Sequence, residues 1–218
     1  MLIDPKSFKF TRKAPFIVLE GVNGAGKSTL QLALAEYLRH RGLLVETTRE
    51  PGATSLGQKL RPILLSSKRE GFSKLTELFL FAADRSEHVG RLITPMLDKG
   101  ISVLSDRYYY STVAFQGYGN GTDLQLIEKI NRLAINKVLP DLVILLDLEP
   151  SEGLRRNRSQ GEDGDSFEYE SISYHQRIRN GFLEMAKDYP EPFWVLDASQ
   201  PAETIFDQAK HLFEKALI

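Results

Sequence analysis

Gly21 and Gly26, with four residues between them and followed at once by Lys27 and Ser28, have the types and spacing of a phosphate-binding loop. Glycine is required there because the backbone must curl round a phosphate and turn its N–H groups inward, which a Cβ would obstruct. Lys27 is then expected to reach the β- and γ-phosphates of a nucleoside triphosphate, and the Ser28 hydroxyl to take a place on Mg²⁺. A second group of chemistry-bearing residues ends the run Ile101–Asp106, where the carboxylate of Asp106 is followed by Arg107. A carboxylate at a strand end is where a Mg²⁺ partner is expected, and the adjacent cation could clamp a phosphoryl group. Asp147, which closes Leu142–Asp147, is a second metal-partner candidate, ranked below Asp106 because the arginine stands beside the latter.

Three further sets carry charge or aromatic surface. Arg49 precedes the breaker-rich Glu50-Pro51-Gly52 and is a candidate for a second anion, set against the equal alternative of a surface arginine before a turn. Phe81 and Arg85 lie four apart and so share a helix face with Asp84 beside them, able to stack on a base and hydrogen-bond its edge. Taken alone, that pair reads more readily as core plus surface charge. Arg155, Arg156 and Arg158 precede the glycine-bounded acidic stretch Gly161–Asp165, a pattern that suits a short lid bringing positive charge to a transition state.

These residues need elements to hold them. Phe16–Gly21 reads as a buried strand, and Leu30, Leu34, Ala35 and Leu38 recur at helical spacing after the loop. Further strands are expected at Leu43–Thr48, Ile101–Asp106, Leu142–Asp147 and Phe193–Leu196, separated by helices over about 55–66, 73–99, 122–137, 150–160 and 171–189 and closed by one from Pro201. Leu75, Leu78, Phe79, Ala82 and Ala83 are read as a core stripe, Pro95 as a kink or restart, Thr122 as a helix cap, and the glycine-rich stretch after Tyr110 as a loop. Strands alternating with helices give an α/β chain with a five-stranded parallel sheet covered on both faces, a P-loop NTPase fold. The domain reading is an exposed basic extension over residues 1–13, then one P-loop domain over 14–218 with a lid at about 150–168.

Composition narrows the function. Lys and Arg number 28 against 29 Asp and Glu in 218 residues, so no global field draws the chain to nucleic acid or a membrane. The absence of cysteine excludes disulfides and thiolate chemistry and fits a reducing compartment. The four histidines have no metal-ligand spacing to one another and read as packed or solvated. No apolar run approaches the ~20 residues that span a bilayer, and the leader has no signal-peptide core, so a cytoplasmic location is expected.

Four ordered blocks, Glu20–Thr29, Arg49–Gly52, Phe81–Arg85 and Asp106–Tyr108 continuing to Ser111–Gly117, together with Pro140–Asp147, resemble the thymidylate kinase family from Phe16 to the C-terminus. The resemblance implies transfer of the γ-phosphoryl group of ATP to dTMP with Mg²⁺, giving dTDP and ADP, on a sheet with the first strand central. It makes Gly21, Val22, Asn23, Gly24, Ala25, Gly26, Lys27, Ser28 and Thr29 the ATP-binding loop, with Arg156 as a further ATP contact. It places thymine on Phe81, with Arg85 on O4, Thr112 beside the ring and Phe115 crowding a ribose 2′-hydroxyl. Arg49 and Arg107 hold the acceptor phosphate, and Asn23, Ser111 and Gln116 complete the dTMP contacts. Lys27, Asp106, Arg107 and a lid arginine form the catalytic set, with Ser28 and Asp106 toward Mg²⁺.

Gly24, where some members carry arginine, points to the bacterial type with the catalytic arginine in the lid: Arg158, with Arg155 and Arg156 as alternates. Asn23 departs from the usual Asp or Glu, and Ser166 from an expected arginine. A homodimer built on the helices around Phe81 is also implied. The competing readings are another nucleoside monophosphate or shikimate kinase, and a nucleotide-dependent switch or partition ATPase. A GTPase is disfavoured, because Asn136-Lys137-Val138-Leu139 lacks the final aspartate of Asn-Lys-x-Asp.

Overall fold

A computed structural model describes residues 2–66, 73–159 and 167–217, with the backbone alone for residues 158 and 159. Strands β1 (Phe16–Gly21), β2 (Val45–Arg49), β3 (Ser102–Asp106), β4 (Leu142–Asp147) and β5 (Phe193–Asp197) form one parallel sheet in the order β2-β3-β1-β4-β5. β1 is central, and its six residues are all buried because helices cover both faces. The register sets Leu19 beside Asp106 and Arg49 beside Asp106, so the carboxyl ends of β1, β2 and β3 lie together, with Arg49 and Asp106 closing the last two. Those ends are where open α/β sheets place ligands.

Helix α1 (Lys27–His40) begins directly out of the loop, with Gly26 at φ 92° supplying the left-handed turn. α2 (Ser55–Leu65) and α3 (Lys74–His88) are capped by the hydroxyls of Thr54 and Ser73. α3 runs through a π-helical turn at Val89–Ile93 into α4 (Thr94–Asp98), which resolves the Pro95 restart. α6 (Leu124–Ile135), α8 (Ile172–Asp188) and α9 (Ala202–Ala216) complete the cover, and α9 buries the expected Ile205, Ala209, Leu212, Phe213 and Ala216.

Four expectations are corrected. The apolar stripe of α3 is not its inner face: Leu78 is buried, whereas Leu75 and Phe79 are exposed and Glu77, Asp84, Arg85 and His88 are inside. The stretch after Tyr108 is not a loop but α5 (Tyr109–Thr112) continuing as a π-helix over Val113–Gly119. It is started by Glu20, whose buried carboxylate accepts the N–H groups of Tyr108 and Ser111 at 2.9 and 3.1 Å and the Ser111 hydroxyl at 2.7 Å. α6 is capped by Asp123, which accepts from the Gln125 N–H, and not by Thr122. The leader is not wholly exposed, because Phe10 is buried against Phe8 and Phe213, the Ile3 N–H donates to the Phe193 carbonyl, and Arg12 pairs with Asp141. Among the described residues no helix is long and apolar enough to cross a membrane.

Candidate active site

The loop between β1 and α1 is held open by left-handed glycines, Gly24 at φ 76° and Gly26 at φ 92°. Lys27 folds back to donate to the carbonyls of Gly21 and Val22, at 3.1 and 2.9 Å. Ser28 Oγ donates to Asp106 Oδ2 at 2.8 Å, so a hydroxyl and a carboxylate meet beside the loop. Asp147 is committed elsewhere: Arg179 holds both of its oxygens, at 2.7 and 3.0 Å.

Arg107 is the strained residue of the site, with φ 74° where a side chain is unfavourable by roughly 1–3 kcal/mol. That backbone turns its guanidinium toward the loop, where it reaches the Gly21 carbonyl at 3.1 Å, Ser111 Oγ at 2.9 Å and Asn23 Oδ1 at 2.6 Å. It also stands over the Phe115 ring and within 3.7 Å of Glu20. Burial pushes the Glu20 carboxyl up to about 7 against the pull of Arg107.

Arg85 is not a surface charge. It is 2% exposed and donates to Glu50 Oε2 at 2.9 Å, Asn131 Oδ1 at 2.9 Å and Thr112 Oγ1 at 3.0 Å. Glu50 in turn accepts from or bonds to His88 Nδ1 at 2.9 Å, and His88 Nε2 meets Thr48 Oγ1 at 2.7 Å. A guanidinium fixed by that many partners keeps one orientation toward the cavity it lines. Beside it, burial and then the nearby Glu50 charge raise Asp84 to about 6.

Two cavities flank the loop. One, of about 250 Å³, has Asn23, Lys27, Ser28, Arg49, Phe81, Arg85, Asp106, Arg107, Ser111, Thr112, Phe115 and Gln116 in its wall. These include every residue that the resemblance implies for dTMP. The other, of about 530 Å³, lies along Gly24–Leu30 and is walled by Arg156, Gln200 and Phe206. Gly24, Lys27, Ser28 and Asn157 belong to both walls. Gly21 and Val22 lie in neither wall and serve through their carbonyls.

Helix α7 (Pro150–Ser159) is set against the loop by two facing glycines. A Cβ at Gly24 would come 2.1 Å from the Gly153 carbonyl oxygen, and one at Gly153 would come 2.3 Å from that of Asn23. On this helix Arg156 donates to the Ala198 carbonyl at 3.0 Å and to Glu152. Arg155 lies on the outer face, 70% exposed, holds Glu152 through two bonds and lines neither cavity. The Arg158 side chain, Ser166 and the acidic stretch Gly161–Asp165 lie outside the described residues.

Sequence reasoning left several wall residues without a role. Phe167 packs its ring 5.6 Å from Phe115 and 6.4 Å from Phe81. Glu168 Oε1 accepts from Asn157 Nδ2 at 2.8 Å and from Asn23 Nδ2 at 3.3 Å, joining α7 to the loop. Glu50 stood inside a recognised block and Phe167 and Glu168 at the end of the expected lid, whereas Asn131, which holds Arg85 from outside the wall, gave no local signal.

The chain was compared with known proteins. A family model described as thymidylate kinase matches residues 19–209. A thymidylate kinase of Carboxydothermus hydrogenoformans is 43% identical over 202 residues, 93% of this chain and 98% of the relative. One of Gloeobacter violaceus is also 43% identical, over 89% of this chain and 92% of its own. A crystal structure of thymidylate kinase from Ehrlichia chaffeensis superposes with a TM-score of 0.72 at 33% identity, covering 90% of this chain and 96% of that one. The chain therefore belongs to the thymidylate kinase family, enzymes that use ATP to phosphorylate dTMP to dTDP.

Proposed function

We propose that dTMP occupies the smaller cavity and Mg·ATP the larger, so that the γ-phosphoryl group crosses where the two share a wall. The observation that carries this reading is the set Gly24, Lys27, Ser28 and Asn157, which borders both spaces. The larger space suits the larger ligand, and its loop offers inward N–H groups to the phosphates. On the acceptor side Phe81 provides the stacking face for thymine, Arg85 donates to O4, and Thr112 supports the ring edge. Phe115 fills the space a 2′-hydroxyl would need. Arg49 and Arg107 meet the acceptor phosphate and bring it in line with the donor, which is most of what phosphoryl transfer asks of a protein.

Ser28 Oγ and Asp106 Oδ2, 2.8 Å apart, are hard oxygen donors of the kind Mg²⁺ takes, and this ion is held by one or two such groups plus substrate phosphates. Among the described residues no cluster of three or more His, Cys, Asp or Glu is present, and a site of that kind does not need one. When bound, Mg²⁺ neutralises charge on the β- and γ-phosphates. Lys27 moves from the loop carbonyls to those phosphates. Arg158, carried on α7, is the lid arginine in this reading, with Arg156 on the donor side; the outward pairing of Arg155 with Glu152 argues against it as the alternate.

A homodimer through the helices around Phe81 belongs to the same proposal. It is supported by Leu75 and Phe79 on α3, 44% and 53% exposed, and Leu133 on α6, 82% exposed. A cytoplasmic location is part of it too. The deciding experiment is coupled ADP release with Mg·ATP against dTMP, dUMP, dCMP, AMP and shikimate. Strong preference for dTMP is expected, and preference for another acceptor overturns the cavity assignment. Sedimentation of the wild type and of Phe79→Asp tests the dimer, with a monomeric wild type refuting it.

A further inference from the structure

Helix α3 presents Glu77, Phe81 and Arg85 at i, i+4 and i+8, hence on one face, and that face borders the acceptor cavity through Phe81 and Arg85. Glu77 is 5% exposed and is not itself in the cavity wall. Its Oε1 accepts from Gln116 Nε2 at 2.8 Å and from Asn120 Nδ2 at 3.4 Å. Gln116, 2% exposed, does line the cavity.

A side-chain amide has a donating end and an accepting end, and nothing in its shape decides which end faces a ligand. A carboxylate only accepts, so Glu77 takes the NH₂ end of Gln116 and leaves the carbonyl for the cavity. Arg85, held by Glu50, Asn131 and Thr112, can only donate. The wall therefore offers one fixed donor and one fixed acceptor. Thymine and uracil present a carbonyl, O4, beside an N–H, N3, which complements that pair. Cytosine presents an amino group, N4, beside an unprotonated N3, which opposes both.

We infer that Glu77 is a specificity-determining positioning residue: by fixing the Gln116 amide it makes the cavity accept a 4-oxo pyrimidine and reject a 4-amino one. Glu77 touches no substrate and acts through Gln116. The inference rests on the assignment of the smaller cavity to dTMP.

The test is kcat/KM for dTMP, dUMP and dCMP in the wild type, Glu77→Gln and Glu77→Asp. In Glu77→Gln the neighbouring group can donate as well as accept, so the Gln116 amide is free to turn. The dTMP to dCMP ratio should fall about tenfold or more, the size of one buried hydrogen bond. The dTMP to dUMP ratio should hold, because the two bases share the edge being read. Glu77→Asp keeps the carboxylate and should restore most of the discrimination. A parallel loss on all three substrates, or failure of both variants to fold, would make Glu77 a packing residue and overturn the inference.

The unaltered enzyme gives a check that needs no variant, since N3-methyl-dTMP carries no donor for the Gln116 carbonyl. Its turnover at the rate of dTMP would also overturn the inference. A wild type that does not prefer dTMP at all defeats the cavity assignment instead, so the two failures are distinguishable.

Discussion

Replacing Gly153 by alanine sets two effects of opposite sign against each other. In a helix interior Gly→Ala is worth about 1 kcal/mol of stability, because alanine loses less backbone freedom. Against this, the new Cβ would lie 2.3 Å from the Asn23 carbonyl oxygen. A carbon and a carbonyl oxygen rest at about 3.3 Å or more, so α7 must retreat from the loop by about 1 Å. The neighbour is backbone and cannot swing aside. A displacement of about 1 Å in groups that must meet a transferring phosphoryl can cost around a hundredfold in rate. Since α7 carries Arg156, Asn157 and Arg158, Gly153→Ala should lower kcat by roughly ten- to a hundredfold and raise KM for ATP, with KM for dTMP less affected. Thermal unfolding should show no loss of stability to match. Coupled ADP release at saturating and limiting ATP reads the first effect, and calorimetry the second. A variant with wild-type kcat and KM would show that α7 is not held against the loop by this contact, and would refute the reasoning.

Arg158→Ala should lower kcat by about a thousandfold while leaving dTMP binding nearly intact, as expected of an arginine that meets charge only in the transition state; an unchanged kcat removes Arg158 from the mechanism. Asn23→Asp replaces an amide that donates to Glu168 by a second carboxylate, so the preference between dTMP and its 3′-modified analogues should shift, and identical selectivity would sink the idea. Asp106→Asn should raise the Mg²⁺ concentration needed for half-maximal rate, read by titrating the metal at fixed ATP, with an unmoved midpoint as the negative result. Asp84 has its folded pKa raised from 3.8 to about 6, so its contribution is present below the lower value and is lost as pH rises through the higher. The ligand-free protein should lose Tm over that interval, and Asp84→Asn should flatten the slope; a slope that persists in the variant assigns the loss to other groups.

The strands and the loop were legible because each is a local pattern. Leu142–Asp147 is apolar almost throughout, and so is buried on both faces, and Gly21 to Ser28 fits one backbone shape. What could not be read depends on distant partners. The inner face of α3 is polar because Glu77, Arg85 and His88 find Gln116, Asn131 and Glu50 between 35 and 46 residues away, and no window of helical periodicity contains those partners. The helix after Tyr108 was hidden for a similar reason. Its glycines suggest a loop, while the carboxylate that satisfies its first N–H groups is Glu20, on another strand. The residues proposed for the acceptor could be named chiefly because they arrive as ordered blocks, and Arg85 in isolation reads as a surface charge.

The leader has a consequence for the order in which the chain can assemble. Leu2 and Ile3 meet Phe193, and Phe10 meets Phe213 and the Ala216 carbonyl, so these residues pack on partners made much later in synthesis. During synthesis Phe10 has only its neighbour Phe8 to pack on until α9 brings Phe213, which makes this closure a late event that seals the sheet at its β5 edge. Contacts made late lie outside the folding nucleus, and their loss speeds unfolding more than it slows folding. The leader is thus a clasp on the finished protein, felt in how long the native state lasts once made.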